Sequence, residues 1–500
     1  AGVINYGRLD DYLGPYLVAD LESGRLTDEE AYRYIHSLWT MIENRRTTVN
    51  GRIIVGGKGR KHPKEADVFL HIAMKVAKNC RYVEPQFTLR FDKETSEEIW
   101  DEALDALGAG ATYPTLYNDD VNVPAVMYGM RVDEKTAEQY VPFGCTEFVI
   151  QGQSTGTPNI CINLLKLLTI YMNDGIDPID GKRKSGPVPL KKLEEYQTFE
   201  EFYDGYKALL DYYLDLSVKA QYHSYEVMNQ HVSFLFTSLL TDDCIARGKA
   251  LLDGGVRYLG GTNETYGNIN TSDSLWVIRD LVFNQKKYTL RQLNDAMLAN
   301  FNGYEALRKD CLNCDKYGND LETADTMAND LYEFVAKGVR NRGIAIGMQY
   351  FLIVISNNQL NTEWGNRTAA SPDGRLSCMY MNPANNPQGG ANKSGPTAML
   401  NSLAKFDAKY HGGSVQNIKF SPSMFNENRA VIKSLFKTYF AKGGCHLMVT
   451  VVDKGVLEDA VEHPENYPDL IVRVSGFSAV FVDLSPNIQQ ELLSRVLYDK

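Results

Sequence analysis

The chain of 500 residues has little that would tie it to a membrane, a nucleic acid or a disulfide framework. Its most apolar stretches, residues 160–172 and 344–355, are interrupted by Asn163, Lys166 and Gln349 and are too short to span a bilayer. The opening Ala1-Gly2-Val3-Ile4-Asn5-Tyr6 has neither the basic start nor the apolar centre of a secretory leader, so a soluble cytoplasmic protein is expected, with no membrane partner. Lys and Arg number 52 against 63 Asp and Glu, a formal net charge of −11, and the only basic block is the short Gly59-Arg60-Lys61-His62. That balance repels phosphate backbones and argues against a nucleic-acid partner. The eight cysteines are scattered, which fits reduced thiols better than a disulfide frame, and the eight histidines are dispersed, so no metal site is expected. Walker-type loops, His-Glu-x-x-His, Gly-x-Ser-x-Gly, calcium-loop spacing and internal repeats are all absent. Val55-Gly56-Gly57-Lys58-Gly59 lacks the Ser or Thr that would follow Lys in a phosphate loop, and Cys311-x-x-Cys314 lacks a second pair at zinc-ribbon spacing.

What is present is a globular composition, with 44% hydrophobic, 11% aromatic and 23% charged residues. That excludes a disordered or fibrous chain, and the length fits several domains or one large α/β barrel. Helix starts carry a recurring grammar of a hydroxyl cap followed by acidic or amide residues, at Thr27-Asp28-Glu29-Glu30, Thr95-Ser96-Glu97-Glu98, Thr198-Phe199-Glu200-Glu201 and Thr289-Leu290-Arg291-Gln292. Between them lie short β-prone pieces at residues 82–91, 447–452, 471–474 and 478–482. Helices interleaved with buried strands predict an α/β architecture with a parallel or mixed sheet. Residues 366–396 are dense in Gly, Pro and Asn and mark either a linker or a long functional loop; composition alone favours the linker.

Two segments stand apart. Val141-Pro142-Phe143-Gly144-Cys145-Thr146-Glu147-Phe148 puts a cysteine on a Gly-flanked turn with a carboxylate two residues on, and an extended loop would point both side chains into one cavity. The plain alternative is a buried free cysteine beside a solvent-facing glutamate. Residues 470–482 form a strongly β-prone run with Gly476 near the centre, a sign of a turn, a bulge or a close backbone approach.

Taken together, Arg473-Val474-Ser475-Gly476-Phe477-Ser478 resembles the glycyl-radical motif, and Gly144-Cys145-Thr146-Glu147 resembles the thiyl-cysteine loop, of the glycyl radical enzymes. Further landmarks follow in the family's order: Asn118-Asp119-Asp120, Lys316-Tyr317-Gly318-Asn319-Asp320, Ser371-Pro372-Asp373-Gly374-Arg375, Gly395-Pro396-Thr397-Ala398 and Lys419-Phe420-Ser421-Pro422. The resemblance implies a ten-stranded α/β barrel in which the Cys145 and Gly476 loops, 331 residues apart, meet at the centre. It implies a barrel region over residues 1–370 and a glycine-radical region over 371–500.

The implied chemistry is a radical stored on Gly476, passed to Cys145 and used to abstract hydrogen from a small organic substrate, with Glu147 as the acid–base group. Gly144 stands where the acyl-transferring pyruvate formate-lyases carry a second cysteine, so the resemblance is to the branch of lyases, dehydratases and decarboxylases. Elimination of a β leaving group is the expected reaction, with decarboxylation or carbon–carbon cleavage as one alternative and a non-catalytic or radical-repair relative as another. The resemblance also assigns Asn118 and Asn159 to the substrate side; Asn159 stands where polyol dehydratases carry Asp, and an amide cannot take a hydroxyl proton at neutral pH. A radical S-adenosylmethionine activating enzyme, a homodimer, an anaerobic setting and no metal or organic cofactor are implied as well. Because the resemblance begins at Tyr6-Gly7-Arg8-Leu9-Asp10, which lies well inside family members, the 500 residues are expected to be the C-terminal part of a longer chain, or a shortened member completed by another chain.

Overall fold

The computed structural model describes residues 2–45, 48–156, 160–355 and 359–499. Strands run at Gly2–Arg8 (β1), Thr48–Gly56 (β2), Gln86–Phe91 (β3), Thr115–Asn118 (β4), Tyr140–Phe143 (β5), Glu147–Ile150 (β6), Ile160–Asn163 (β7), Gly260–Tyr266 (β8), Tyr350–Ile355 (β9), His411–Ser414 (β10), Asn417–Phe420 (β11), His446–Val451 (β12), Ile471–Arg473 (β13) and Ser478–Val480 (β14). The chain forms two compact units, one of residues 1–156 with 412–500 and the other of residues 157–411. No helix among the described residues is long and apolar enough to cross a membrane.

The first unit is built on a six-stranded sheet ordered β1-β2-β3-β4-β12-β11. Neighbours run parallel except at the β4–β12 junction, where His446 lies opposite Tyr117 in antiparallel register. Strand β3 shows how its sequence sets the layers. Phe87, Leu89 and Phe91 alternate with Gln86, Thr88 and Arg90, as a strand with one wet face would, yet both sets are buried. The apolar set meets helical aromatics: Phe87 packs on Trp39, and Phe91 meets Trp100 edge-on with centroids 4.7 Å apart. Register puts Arg52 beside Gln86, Thr88 beside Thr115 and Arg90 beside Tyr117, so the opposite face of β2, β3 and β4 is a buried polar surface. Two antiparallel hairpins, β5–β6 and β13–β14, complete this unit.

The second unit carries β7, β8 and β9 in parallel. Its core is aliphatic and aromatic, with Tyr171, Phe202, Tyr206, Leu210 and Leu331 buried among the long helices Phe199–His231 and Glu322–Ala345. Hydroxyl caps open helices in both units: Thr27 and Thr289 form capping boxes with Glu30 and Gln292, and Ser96 and Thr198 accept from Ile99 and Glu201 amides. Residues 366–396 are not the linker that composition favours. Arg375, 4% exposed, donates to the carbonyls of Ala369 and Gly365, and Asp373 accepts from Asn270 and Ser371, so the loop's polar backbone is satisfied inside the second unit.

Candidate active site

The hairpin β5–β6 pairs Tyr140 with Ile150 and Phe143 with Glu147, leaving Gly144, Cys145 and Thr146 as its tip. Cys145 is therefore on a tight turn rather than in extended chain, and Glu147 begins the return strand. The Glu147 carboxylate folds back over the turn, where Oε2 accepts the Thr146 amide at 2.9 Å. Gly144 makes room for it: its φ is +55°, and a Cβ there would lie 2.8 Å from Oε2. Cys145 is 2% and Glu147 3% exposed. Thiol and carboxylate thus share one buried turn, and the solvent-facing glutamate of the plain alternative is not what the structure shows.

Gly476 sits at the tip of the second hairpin, between Arg473 and Ser478, which pair across β13 and β14. The turn is closed by the Val474 and Ser475 amides donating to the Phe477 carbonyl. A Cβ built on Gly476 would lie 2.3 Å from the Cys145 Cβ, 2.4 Å from its Cα and 2.7 Å from its carbonyl oxygen. With a Cα–Cβ bond of about 1.5 Å, the Gly476 Cα is therefore within about 3.8 Å of the Cys145 Cβ. Close approach, not a left-handed backbone, demands glycine at this position. Cys145, Glu147 and Gly476 come together within the first unit.

The polar face of the sheet holds both tips. Arg52, fully buried on β2, donates from Nη2 to Gly144 O at 2.9 Å and more weakly to Cys145 O at 3.4 Å, and from Nη1 to Thr88 Oγ1 at 2.8 Å. Arg473 donates across its own hairpin to Ser478 Oγ at 3.1 Å, and burial holds its guanidinium below the usual arginine range. Tyr117 lies between the Arg52 guanidinium, 5.9 Å from its ring centroid, and the His446 ring at 4.5 Å. Burial pushes its phenol up to about 12, so it stays neutral.

The base of the first hairpin is anchored ionically. Arg90 makes a two-pronged pair with Asp119 at 2.9 and 2.7 Å and donates to Tyr140 O, while the Tyr140 hydroxyl donates to Asp119. The Gly-rich turn after β2 closes on carboxylates: the Lys58 amide donates to Asp119 and Lys58 Nζ pairs with Asp120 at 2.8 Å, an arrangement hostile to phosphate.

Of the two residues expected on the substrate side, Asn159 lies outside the described residues. Asn118 is buried at the helix cap of Asp119–Met130; its Nδ2 donates to Phe440 O and Gly444 O and its Oδ1 accepts the Asp120 amide, so its hydrogen bonds serve the backbone. Cys311 and Cys314 keep thiols pushed up to about 12 and about 11 by burial, as packing residues would. Among the described residues one His/Glu group, His71, Glu98 and Glu102, brings three donor atoms within 4.8 Å of one another, on helices far from either tip in sequence; His71 Nδ1 and Glu102 Oε2 already pair at 2.8 Å. Sequence reasoning missed Arg52, Gln86 and Tyr117. Arg52 did leave a signal, being the only charged residue between positions 47 and 57 of a β-branched run.

Known proteins resemble this chain over nearly all of its length. The family description "Pyruvate formate lyase-like" matches residues 1–360, and "Glycine radical" matches residues 381–482. The trans-4-hydroxy-L-proline dehydratase of Clostridioides difficile is 29% identical, over 98% of this chain and 64% of its own length. The isethionate sulfite-lyase of Oleidesulfovibrio alaskensis is 26% identical, over 99% of this chain and 62% of its own length. Among solved structures, the glycerol-bound B12-independent glycerol dehydratase from Clostridium butyricum matches with a TM-score of 0.91 at 28% identity, covering 99% of this chain and 64% of that one. The chain thus spans 62–64% of the length of these relatives.

Proposed function

The chain belongs to the pyruvate formate lyase-like glycyl radical enzymes, and from that membership we propose that it is a radical lyase that removes a β leaving group from a small hydroxylated substrate. The observation that carries this is the seating of Gly476 against Cys145 with the Glu147 carboxylate on the same turn. A Cα radical on Gly476 takes the hydrogen of the Cys145 thiol, forming a Cα–H bond and leaving a thiyl. The thiyl takes a hydrogen from a substrate carbon bearing a hydroxyl, restoring S–H. Glu147 accepts the hydroxyl proton, and the electron-rich substrate radical expels its β substituent as an anion. The product radical recovers hydrogen from Cys145, and the thiyl returns the radical to Gly476. Gly144 offers no second thiol to hold an acyl group, which argues against acyl transfer.

The same reading carries a radical S-adenosylmethionine activating enzyme as partner, an oxygen-free cytoplasm and a homodimer. The names of the relatives suggest the substrates to assay: small polyols, hydroxyprolines and hydroxyalkyl sulfonates. The decisive variant is Glu147→Gln, which keeps the shape of the turn but cannot take a proton. Turnover is expected to fall on the order of 10²–10⁴-fold while radical per chain stays constant. A radical count that falls together with activity makes Glu147 a structural residue. Carbon dioxide released from a carboxylated substrate places the enzyme with the decarboxylases instead.

A further inference from the structure

We infer that Arg52 is a positioning residue for the hydrogen relay, holding the Cys145 turn against Gly476 through a bridge of Gln86 and Arg473; the inference rests on the relay proposed above. Gln86 Oε1 accepts from Arg52 Nη2 at 2.9 Å and, over a longer reach of 3.5 Å, from Arg473 Nη2. One guanidinium lies under the tip of the thiol hairpin and the other belongs to the last strand pair before the glycyl tip, so a single amide oxygen on β3 joins the two.

Three features make this more than packing. First, both guanidiniums are buried, and their hydrogen-bond partners among the described residues are neutral: Thr88, Thr115, Gln86 and the turn carbonyls for Arg52, and Met448, Ser478 and Gln86 for Arg473. Buried cations are costly to desolvate, and hydrophobic residues of similar volume would hold a sheet at least as well. Their presence fits a requirement for directed donors. Second, the Cys145 carbonyl that Arg52 reaches is the atom that a Cβ on Gly476 would meet at 2.7 Å, so the fork fixes the peptide against which the radical carbon is seated. Third, the guanidinium fork is rigid, and its two terminal nitrogens divide the acceptors, Nη1 donating to Thr88 and Nη2 to Gln86 and the Gly144 carbonyl, a spread that a single ammonium nitrogen does not reproduce. Misplacement by about 1 Å at a reacting centre costs on the order of 10²-fold in rate.

The test uses the full chain, activated without oxygen by a radical S-adenosylmethionine activase. A Gly476 radical keeps one α-hydrogen and gives a doublet in electron paramagnetic resonance. In D₂O, reversible exchange with the Cys145 thiol replaces that hydrogen by deuterium and collapses the doublet. Radical per chain and collapse rate are separate readouts, and general loosening of the fold would lower the first. For Arg52→Met the expected result is radical yield within about twofold of the unsubstituted protein and collapse slowed on the order of 10²-fold. Arg52→Lys, with the charge but not the fork, falls between the two. Collapse at the unsubstituted rate in Arg52→Met overturns the inference. If that variant does not fold, Gln86→Leu removes only the shared acceptor, and an unchanged collapse rate there overturns it equally. A doublet that never collapses in the unsubstituted protein, or never forms, defeats the relay itself, which is a different result from a failed Arg52.

Discussion

The two hairpins that meet at Cys145 and Gly476 both carry buried cations, but they differ in strand length and in what their bases rest on. The β5–β6 hairpin has four-residue strands and is fastened at both ends by buried cations, Arg90 with Asp119 at its base and Arg52 at its tip. The β13–β14 hairpin has three-residue strands and rests on a small apolar cluster of Val472, Val474, Phe481, Ile488 and Leu492; just past the helix Pro486–Ser494, Arg495, paired with Glu491, donates to Val474 O. The difference matches what each tip must do under the proposed chemistry. The thiol must keep one geometry through every turnover, whereas the Gly476 Cα, buried here, must become reachable by an activating partner. A hairpin with shorter strands resting on a small apolar cluster opens at lower cost.

The sharpest break between the two is covalent. Cys145→Ser is expected to keep the glycyl doublet and to lose turnover on the order of 10⁶-fold, to background, because a hydroxyl gives up its hydrogen atom far less readily than a thiol. Gly476→Ala is expected to lose both, since its methyl would collide with Cys145 at 2.3 Å and displace the tip. Radical counting beside a product assay separates the two outcomes; a Cys145→Ser enzyme that still turns over would end the relay. Next in size is the anchoring. Asp119→Ala leaves Arg90 buried without its counter-ion, and a loss of about 3–5 kcal/mol in urea unfolding is expected. Hydrogen exchange should rise over residues 140–150 more than over 471–480, and an even rise across both hairpins would erase the contrast drawn between them.

The candidate relay residues Cys145, Glu147 and Gly476 were legible through the family resemblance that their short motifs carry together, since each motif taken alone reads as an ordinary turn. The α/β character and four helix starts were legible without it, caps and periodicity being near-neighbour effects. What holds the site in place was not. Arg52, Gln86 and Arg473 are distant in sequence and meet through sheet register and a hairpin, and no spacing announces that. Alternation in β3 reports that its two faces differ and not what the polar face binds, although both faces are buried. Residues 366–396 misled for a related reason: turn residues signal irregular backbone, whereas Arg375 and Asp373 decide whether that backbone is enclosed.

The smallest expected effect tests the base of the first hairpin through pH. Asp10 has no exposed side chain and accepts the Gly56 amide at 2.7 Å, while Arg8 beside it donates to Gly56 O and Glu138 O, which ties β1 and β2 to the segment leading into β5. Burial raises its carboxyl to about 6 despite Arg8 and Arg60 nearby. A raised carboxyl binds its proton more tightly in the folded chain than in the unfolded one, so this residue's contribution to stability declines as pH rises from about 4 to about 6 and is constant outside that window. The full decline is about 3 kcal/mol at most. Other carboxylates titrate across the same range, so the quantity to measure is the stability of the unsubstituted chain minus that of Asp10→Asn, by urea unfolding at several pH values. Asn loses one acceptor at every pH but has no proton to exchange, so the difference should shrink steadily between pH 4 and 6. A difference independent of pH would mean that Arg8 and Arg60 keep Asp10 ionised throughout, and the base of the thiol hairpin would then be more firmly ionic than its burial implies.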